Sequence, residues 1–321
     1  MEPPLDRSTT WPYVDGEPGP FHYSRNAHPV GVEAERQLGE LDGGEALLFS
    51  SGMGATTALL LGLLSPGSTV ALAQDAYYGT GVLLSELDRW GLRHVLYDQT
   101  GPPPDGTDLV WIEAPSNPLL AMPDFEAATA HPGLVVCDAT AATPVYLNPL
   151  ERGCDLVLHS ATKYLAGHHD VLLGAVVCGD AKHAERLREL RTRTGIVAAP
   201  DAAWLLLRGL KTLEVRVMRQ SETAATLAAR LGEHEAVQIV RYPGFGGLLS
   251  FDVAGGEQAR RVETSTRLIA NATSLGGVAS TMESRHRWEG DRVPAGLLRL
   301  AVGLEPADDL WHDLQQALEN V

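Results

Sequence analysis

Hydrophobic and polar positions follow two patterns along this chain. Residues 1–30 are rich in Pro and Gly and show no period, so we expect an irregular arm there. Short apolar runs then recur, with stretches of helical period between several of them. The runs are almost continuously hydrophobic, as in strands that are buried on both faces of a parallel sheet. Seven of them occur before residue 180: "EALLFS", "TVALAQD", "HVLYDQ", "DLVWIEAP", "LVVCDAT", "DLVLHS" and "LLGAVVCG".

These seven runs predict an α/β domain over residues 31–213, in which a mainly parallel, seven-stranded sheet lies between layers of helices. A long helical stretch, "PDAAWLLLRGLKTLEVRVMRQSETAATLAARL", then predicts one or two helices. The remaining segments predict a strand, a helix, a strand and a helix, in the order "GGLLSFDV", "EQARRVETSTRLIANA", "LLRLAVGL" and "PADDLWHDLQQALEN". We therefore expect a smaller α+β domain over residues 214–321.

Charge and cysteine content narrow the class of protein. The 321 residues carry a formal net charge of −16, and such acidity disfavours nucleic acids and anionic membranes as partners. The three cysteines are scattered and show no metal-site spacing, so we expect no metal and reduced thiols in a cytoplasmic protein. The N-terminal segment lacks a secretory signal pattern, and no apolar run approaches the ~20 residues of a membrane span. We expect no membrane partner.

Unusual polar residues follow several predicted strands. In an open parallel sheet, ligands bind outside the carboxyl ends of the strands. The segment "LLFSSGMGATT" joins a strand to a helix start, which directs N–H groups and the positive helix end at an anion. Taken singly, such residues are commonest as turn formers, caps or solvated charges, but their coincidence at one sheet edge predicts a binding site. The other strand ends carry Glu113 with Asn117, Asp138, and Ser160 with Thr162 and Lys163.

Two cofactors suit this sheet edge. A dinucleotide is one alternative, because "GMGATT" approximates the G-x-G-x-x-G fingerprint and Asp75 ends the next strand about 20 residues on. However, Thr57 replaces the third glycine, and this alternative leaves Asp138 and Lys163 without a role. Pyridoxal phosphate (PLP) is the other, since it needs an imine-forming lysine, an acid at its ring nitrogen, an aromatic ring and phosphate donors. The matching residues are Lys163, Asp138, Tyr77 or Tyr78, and Gly52, Met53, Ser160 and Thr162.

Longer segments resemble one family. They keep their order from about residue 5 to the end, and they include "YSRNAHP", "SSGMGATTALLLGLL", "DAYYGT", "EAPSNPLL", "LHSATKYLAGHHD", "LLLRGLKTL", "SLGG" and "LLRLAVGLE". The chain is similar to the PLP enzymes of cysteine and methionine metabolism, such as cystathionine γ-synthase, cystathionine γ-lyase, cystathionine β-lyase and methionine γ-lyase. The resemblance implies a fold type I PLP-dependent transferase whose active sites are shared between the subunits of a homodimer or homotetramer. The chain is shorter than the usual family member, so a dimer is better supported than a tetramer.

The resemblance also implies a role for each matching residue. Lys163 would form the imine and move protons, Asp138 would pair with the ring nitrogen, and Tyr77 would stack on the ring and could protonate a leaving sulfur. Arg299 would bind the substrate α-carboxylate, a task suited to a guanidinium, with help from Ser274 and Asn117. The phosphate would be held by Gly52, Met53, Ser160 and Thr162, and by Tyr23 and Arg25 of the neighbouring subunit.

Several positions depart from the family pattern. Relatives that cleave cystathionine commonly carry an acid before Tyr-Ser-Arg, an Arg soon after the tyrosine motif and a Glu before Ser-Leu-Gly-Gly; here these are His22, Val82 and Thr273. Methionine γ-lyases carry a Cys where this chain has Gly79, and relatives usually have Ser at His169. We expect a carbon–sulfur lyase or γ-replacement enzyme for a sulfur amino acid with a smaller or less charged side chain. A β-lyase and, from the dinucleotide alternative, a nicotinamide oxidoreductase are the competing hypotheses.

Overall fold

The central sheet contains the seven predicted strands. A computed structural model describes residues 3–319. The strands are arranged in the order β1-β7-β6-β5-β4-β2-β3, with β7 antiparallel to both neighbours and the other pairs parallel. The prediction of a mainly parallel, seven-stranded sheet is confirmed. Their bounds are β1 (Glu45–Phe49), β2 (Thr69–Ala73), β3 (Arg93–Tyr97), β4 (Leu109–Glu113), β5 (Leu134–Asp138), β6 (Leu156–His159) and β7 (Gly174–Cys178).

Successive side chains within each strand pack on opposite faces of the sheet, and both faces are buried. This explains why the apolar runs are continuous. In β4, Leu109 and Trp111 belong to one hydrophobic cluster, whereas Val110 and Ile112 belong to a second one. Successive side chains of a strand point to opposite faces, so helices must cover both faces of the sheet. One face is covered by α1 (Pro29–Asp42), α4 (Phe125–Thr129), α5 (Thr143–Tyr146) and α7 (Pro200–Leu210), and the other by α2 (Gly52–Leu63), α3 (Tyr78–Leu87) and α6 (Ala181–Thr194).

A second sheet of five strands follows, in the order β10-β11-β12-β9-β8. Its strands are β8 (Ile239–Arg241), β9 (Leu248–Asp252), β10 (Ala270–Asn271), β11 (Thr281–Ser284) and β12 (Leu297–Ala301). The predicted strands in "GGLLSFDV" and "LLRLAVGL" are β9 and β12. Three helices contribute to its hydrophobic core, and a short fourth helix follows β11; they are α8 (Leu213–Gly232), α9 (Gly256–Ser265), α11 (Ala307–Leu318) and α10 (His286–Glu289).

The C-terminal part differs from the sequence prediction in detail. The helix predicted over residues 257–272 ends at Ser265, and the chain then forms β10. Strands β8, β10 and β11 were not predicted, because two to four residues are too few to show a period. The long helical stretch forms two helices, separated at Lys211 and Thr212. The domain boundary after residue 213 stays a prediction; α8 begins at Leu213.

Residues 3–28, within the predicted arm, contain two isolated bridges, which join Thr10 to Tyr23 and Val14 to Glu17, and α1 begins at Pro29. The three cysteines are free and buried. Across residues 3–319, no helix combines the length and the apolar character that crossing a membrane requires.

Candidate active site

A cavity of about 570 Å³ lies between the carboxyl ends of the first sheet and the residues of the second sheet. Its volume is in the range of small-molecule and cofactor sites. Ten of the predicted site residues line it: Gly52, Met53, Tyr77, Asn117, Asp138, Ser160, Thr162, Lys163, Ser274 and Arg299. The two that lie elsewhere are Tyr23 and Arg25. Polar residues that follow different strands in the sequence therefore lie around one cavity in the structure.

One end of the cavity is formed by the start of α2. Ser51 caps this helix, and its hydroxyl accepts a hydrogen bond from the Gly54 amide at 3.0 Å. The amides of Gly52 and Met53 come earlier in the first turn, where N–H groups lack intrahelical acceptors and the helix end is positive. A Cβ added to Gly52 would lie 3.1 Å from that of Ser160, so the two segments approach closely. The helix start and the Ser160 hydroxyl thus place several donors close together, an arrangement that suits a phosphate, and we call this group of donors the phosphate cradle.

Asp138 ends β5 and is buried. Its Oδ1 accepts hydrogen bonds from the Thr140 amide at 3.0 Å and from the Thr140 hydroxyl at 2.5 Å. The same hydroxyl oxygen accepts from the Ser160 amide at 2.8 Å, which connects the acid to the phosphate cradle. Burial raises the pKa of Asp138, and the bonds from Thr140 oppose that rise. A cation beside such a buried carboxylate stabilises its charged form, which suits a protonated ring nitrogen.

Thr162 lines the cavity, but its hydroxyl is engaged with the backbone. It donates to the Leu173 carbonyl at 3.1 Å and accepts from the Leu173 amide at 3.0 Å. These bonds anchor the turn after β6 to the segment before β7. The predicted role of Thr162 as a phosphate donor stays a prediction.

Lys163 lies in the turn after β6, and its Nζ donates to Ser274 Oγ at 2.8 Å. Burial, followed by the positive charge of Arg299, lowers the pKa of Lys163 to about 8. A lysine of lowered pKa has a larger fraction of free amine near neutral pH, which is the form that attacks an aldehyde. The chain has three lysines, and the other two, Lys182 and Lys211, are exposed and do not line this cavity.

Tyr77 lies at the end of the segment that follows β2. Its amide donates to Glu113 Oε2 at 2.6 Å, and its ring centroid is 5.0 Å from that of Tyr78. Burial raises the pKa of Tyr77, so its phenol keeps its proton at neutral pH. Burial and then the charge of Asp138 raise the pKa of Glu113 well above its usual value. A Cβ on Gly79 would lie 2.5 Å from Tyr77 Cε1, so the ring position depends on that glycine.

Arg299 lies on β12 and forms the opposite wall. Its Nη1 donates to Asn117 Oδ1 at 2.9 Å. Its Nη2 donates to the Ser274 carbonyl at 2.9 Å and to Glu283 Oε1 at 2.7 Å. These bonds use part of the donor capacity of a guanidinium, and the rest is available to a carboxylate in the cavity. Burial lowers the pKa of Arg299 to about 10, which still leaves the group charged at neutral pH.

Sequence reasoning missed several residues of this site. Glu283 lies opposite Arg299 in the pairing of β11 with β12, and Arg285 and Trp288 line the cavity beside it. Their local signal is the alternation of charge in "MESRHRWEGDR", but cross-strand pairing cannot be inferred where the strand itself is not predicted. Thr140, two residues after Asp138, could have been found from the preference of Asp for bonding the backbone two residues on.

Tyr23 and Arg25 lie away from the cavity of their own chain. Arg25 Nη1 donates to the Thr192 carbonyl at 2.7 Å, and its guanidinium lies 5.2 Å from the centre of the Tyr23 ring. Both side chains are exposed. Their predicted contact with the phosphate of a neighbouring subunit stays a prediction.

The residues of this cavity fit pyridoxal phosphate. The functional groups of that cofactor are matched by a half-buried lysine of lowered pKa, an acid suited to a cationic ring nitrogen, a tyrosine ring and a cradle of amides and a hydroxyl. Fold and site together define a PLP-dependent enzyme of fold type I.

Comparison with known proteins gives the family. A family profile described as "Cys/Met metabolism PLP-dependent enzyme" matches residues 1–319. The chain is 36% identical to cystathionine γ-lyase of Bacillus subtilis, over 94% of this chain and 89% of the relative. It is 41% identical to L-methionine γ-lyase of Streptomyces avermitilis, over 98% and 84%. A crystal structure of cystathionine γ-synthase from Xanthomonas oryzae pv. oryzae, in complex with aminoacrylate and cysteine, superposes with a TM-score of 0.93 at 34% identity and covers 99% of this chain and 92% of that one. The chain belongs to the Cys/Met metabolism PLP-dependent enzyme family.

The dinucleotide alternative is not favoured. The "GMGATT" turn follows β1, which is an edge strand of the sheet, whereas the dinucleotide fingerprint follows a strand at the point where strand order reverses. Thr57, in place of the third glycine, donates its hydroxyl to the Met53 carbonyl at 2.8 Å within α2. Asp75 does not line the cavity.

Proposed function

We propose that this enzyme cleaves or exchanges the bond between Cγ and sulfur in a sulfur amino acid. One observation carries the proposal: Ser274 accepts from Lys163 Nζ at 2.8 Å through its hydroxyl and from Arg299 at 2.9 Å through its carbonyl. An amine base and a guanidinium are thus joined through one residue. A substrate carboxylate on Arg299 would place the adjacent Cα beside Lys163. Relatives named as γ-lyases support Cγ as the reacting carbon.

The cofactor would be held by residues on the wall from the first sheet. Lys163 would hold it covalently through Nζ, Asp138 would face the ring nitrogen, and Tyr77 would lie against the ring. The phosphate would bind in the cradle of Gly52, Met53 and Ser160, supported by Thr162. When bound, PLP supplies an electron sink for the charge that remains at Cα after proton removal.

The chain's own residues would handle the protons. Arg299, with Asn117 and Ser274 fixing its guanidinium, would orient the substrate through its carboxylate. Lys163, whose lowered pKa suits it to act as a base, would take protons from Cα and then from Cβ. Tyr77, whose raised pKa keeps it protonated, would donate a proton to the leaving sulfur.

The preferred substrate in this proposal has a small or uncharged distal group. None of the positions 22, 82 and 273 carries the charged residue that the cystathionine-cleaving pattern has there. Val82 is an exposed apolar residue, and Thr273 donates its hydroxyl to Glu283 at 3.1 Å. His22 lies within hydrogen-bonding distance of Asn26, at 2.7 Å. We therefore favour a substrate such as methionine or homocysteine over cystathionine.

The proposal includes a homodimer or homotetramer in the cytoplasm. Tyr23 and Arg25 are exposed on the arm, where a second copy could bring them to the phosphate cradle. Three free, buried cysteines are typical of a reducing compartment. Equilibrium sedimentation tests the assembly, and Arg25→Ala should weaken cofactor binding without unfolding the chain; unchanged cofactor affinity would contradict the shared site.

The function is tested with a substrate panel. Purified holoenzyme is incubated with cystathionine, methionine, homocysteine and an acylated homoserine, and the ketoacids are separated by chromatography. Elimination at Cγ yields 2-oxobutanoate, whereas cleavage at Cβ yields pyruvate. We expect 2-oxobutanoate together with methanethiol from methionine or with hydrogen sulfide from homocysteine. Pyruvate as the main product would establish the β-lyase alternative instead, and a wide preference for cystathionine would refute the substrate argument.

A further inference from the structure

A row of alternating charges leads from the cavity to the surface. Arg299 Nη2 and Arg285 Nη1 both donate to Glu283 Oε1 at 2.7 Å. Arg285 Nη2 donates to Glu289 Oε1 at 2.8 Å, and Arg292 Nη1 lies 3.7 Å from Glu289 Oε2. The four inner side chains are at most 6% exposed, whereas Arg292 is 43% exposed. We call these five residues the charge row.

Glu283 is the central member of the charge row. Beside the two arginines, its Oε1 accepts from the Thr273 hydroxyl at 3.1 Å, and its Oε2 accepts from Trp288 Nε1 at 3.2 Å. So many donors hold the carboxylate in one position. Glu283 in turn holds the guanidinium of Arg299, which faces it across the β11–β12 pair.

Glu283 orients Arg299, but its negative charge also reduces the attraction of Arg299 for the substrate carboxylate. An arginine paired with a single buried carboxylate forms a neutral unit, and a neutral unit attracts a further carboxylate only weakly. A second cation on the same carboxylate removes this conflict. Arg285 is that cation, and it shares Oε1 of Glu283 with Arg299. With Glu289 paired to Arg285 and Arg292, the charge row as a whole keeps a net positive charge.

We propose that Arg285 is a positioning residue for substrate binding: it offsets the charge of Glu283, so that Arg299 is held by an acid and still attracts the substrate carboxylate. The inference rests on the proposed function, in which Arg299 binds that carboxylate. Arg285 itself need not touch the substrate. Its contribution passes through Glu283.

The test measures how much of ligand affinity comes from the carboxylate. L-Norleucine has no leaving group at Cγ, and pentylamine is the same molecule without its carboxylate. Both are titrated into the holoenzyme, and binding is followed by the change in visible absorbance of the cofactor. The variants are Arg285→Gln, Arg285→Lys and the double variant Glu283→Gln/Arg285→Gln. Arg287→Met is the matched control, because Arg287 lies two residues from Arg285 in the sequence but pairs with Glu263 and does not line the cavity.

Arg285→Gln should weaken norleucine binding about 10- to 100-fold, because a buried acid is left uncompensated beside Arg299. Pentylamine binding should stay within about threefold, since it lacks the group that Arg299 attracts. Arg285→Lys restores the cation, and the double variant removes the acid, so both should bind norleucine within about fivefold of the unchanged enzyme. Arg287→Met should change neither ligand's affinity.

Two results would overturn the inference. One is an Arg285→Gln variant whose affinity for norleucine relative to pentylamine is unchanged. The other is a double variant that binds norleucine as weakly as the single variant does. If Arg285→Gln does not fold, as judged by circular dichroism, the double variant decides, because it leaves no uncompensated acid at residue 283. Arg299→Leu separates this inference from the proposed function. Loss of the norleucine preference in Arg299→Leu but not in Arg285→Gln would refute the inference alone, whereas no loss in Arg299→Leu would refute the carboxylate site itself.

Discussion

The lowered pKa of Lys163 makes a quantitative prediction about cofactor capture. A lysine of ordinary pKa 10.5 is about 0.03% neutral at pH 7, whereas a pKa of about 8 gives about 9%. The fraction of reactive amine at Lys163 is thus about 300-fold larger than at an ordinary lysine. The cause is structural, since burial and the nearby Arg299 both disfavour the charged ammonium.

The assay starts from apoenzyme that has been stripped of its cofactor. PLP is added at a series of pH values, and the yellow absorbance of lysine-bound cofactor is followed in time. Borohydride then fixes the product, and peptide mass mapping shows which lysine carries it. We expect the capture rate to rise with pH up to about 8 and then level off, with the label at Lys163. Lys182, exposed on α6, serves as the internal comparison.

Control variants sharpen this experiment. Lys163→Ala should remove the yellow absorbance and all turnover while the fold is retained, and Lys182→Ala should change neither. Arg299→Leu should move the midpoint of the pH profile upward, because one of the charges that lowers the pKa of Lys163 is lost. A rate that still rises above pH 10, or equal labelling of Lys182, would show that the cavity does not activate Lys163.

Three further predictions concern other parts of the structure. Gly79→Cys should lower kcat about 100-fold, because a Cβ would lie 2.5 Å from Tyr77 Cε1 and displace the ring; unchanged kcat would contradict this packing. Tyr77→Phe should retain the cofactor spectrum and lose about 100-fold in kcat, since the proton donor is gone; a normal kcat would exclude Tyr77 as the donor. Asp42→Asn should cost about 3–5 kcal/mol in urea unfolding, because it breaks the buried pair with His159. Burial lowers the pKa of His159, but Asp42, Asp138 and a backbone hydrogen bond together raise it by more, so the net pKa lies above its usual value of 6.5. The stability of the pair is therefore full below pH 6.5 and is lost as pH rises through the raised pKa. An equal cost at pH 6 and pH 9 would argue against a charged His159.

The first sheet could be predicted from the sequence because burial on two faces leaves a visible pattern. Leu109, Val110, Trp111 and Ile112 are all apolar, although neighbours in this run pack into different clusters. The strand ends were equally visible, since Asp138 directly follows a buried run. The predicted cofactor residues that follow strands of the first sheet could therefore be recognised from local sequence.

The wall from the second sheet was harder to predict. Arg299 was found through the resemblance, but Glu283 and Arg285 were not, because their function depends on the pairing of β11 with β12. β11 is four residues long, and α10 and an irregular segment separate it from β12, which begins at Leu297. A single sequence holds no local signal for such pairing.

His169 had no explanation in the sequence, and the structure supplies one. A Cβ added to Gly277 would lie 2.0 Å from His169 Nε2, so the imidazole occupies the space directly over that glycine. Gly277 belongs to the segment that begins at Ser274, the residue that contacts Lys163. His169, which lies between β6 and β7 of the first sheet, thus packs against the segment that holds Ser274. It lies at a point where the two walls touch.

The two walls of the cavity come from separate sheets, and this affects how such an enzyme can acquire new substrates. The residues assigned to cofactor chemistry follow strands of the first sheet, whereas Arg299 lies on the second sheet and Arg285 in the turn after β11. Mutations in residues 282–289 can therefore change the surroundings of Arg299, whereas Ser274 is tied to Lys163 by a hydrogen bond. The residues assigned to the cofactor can thus stay unchanged while residues near Arg299 vary. Changes in a single short stretch of chain can then alter which substrate is preferred.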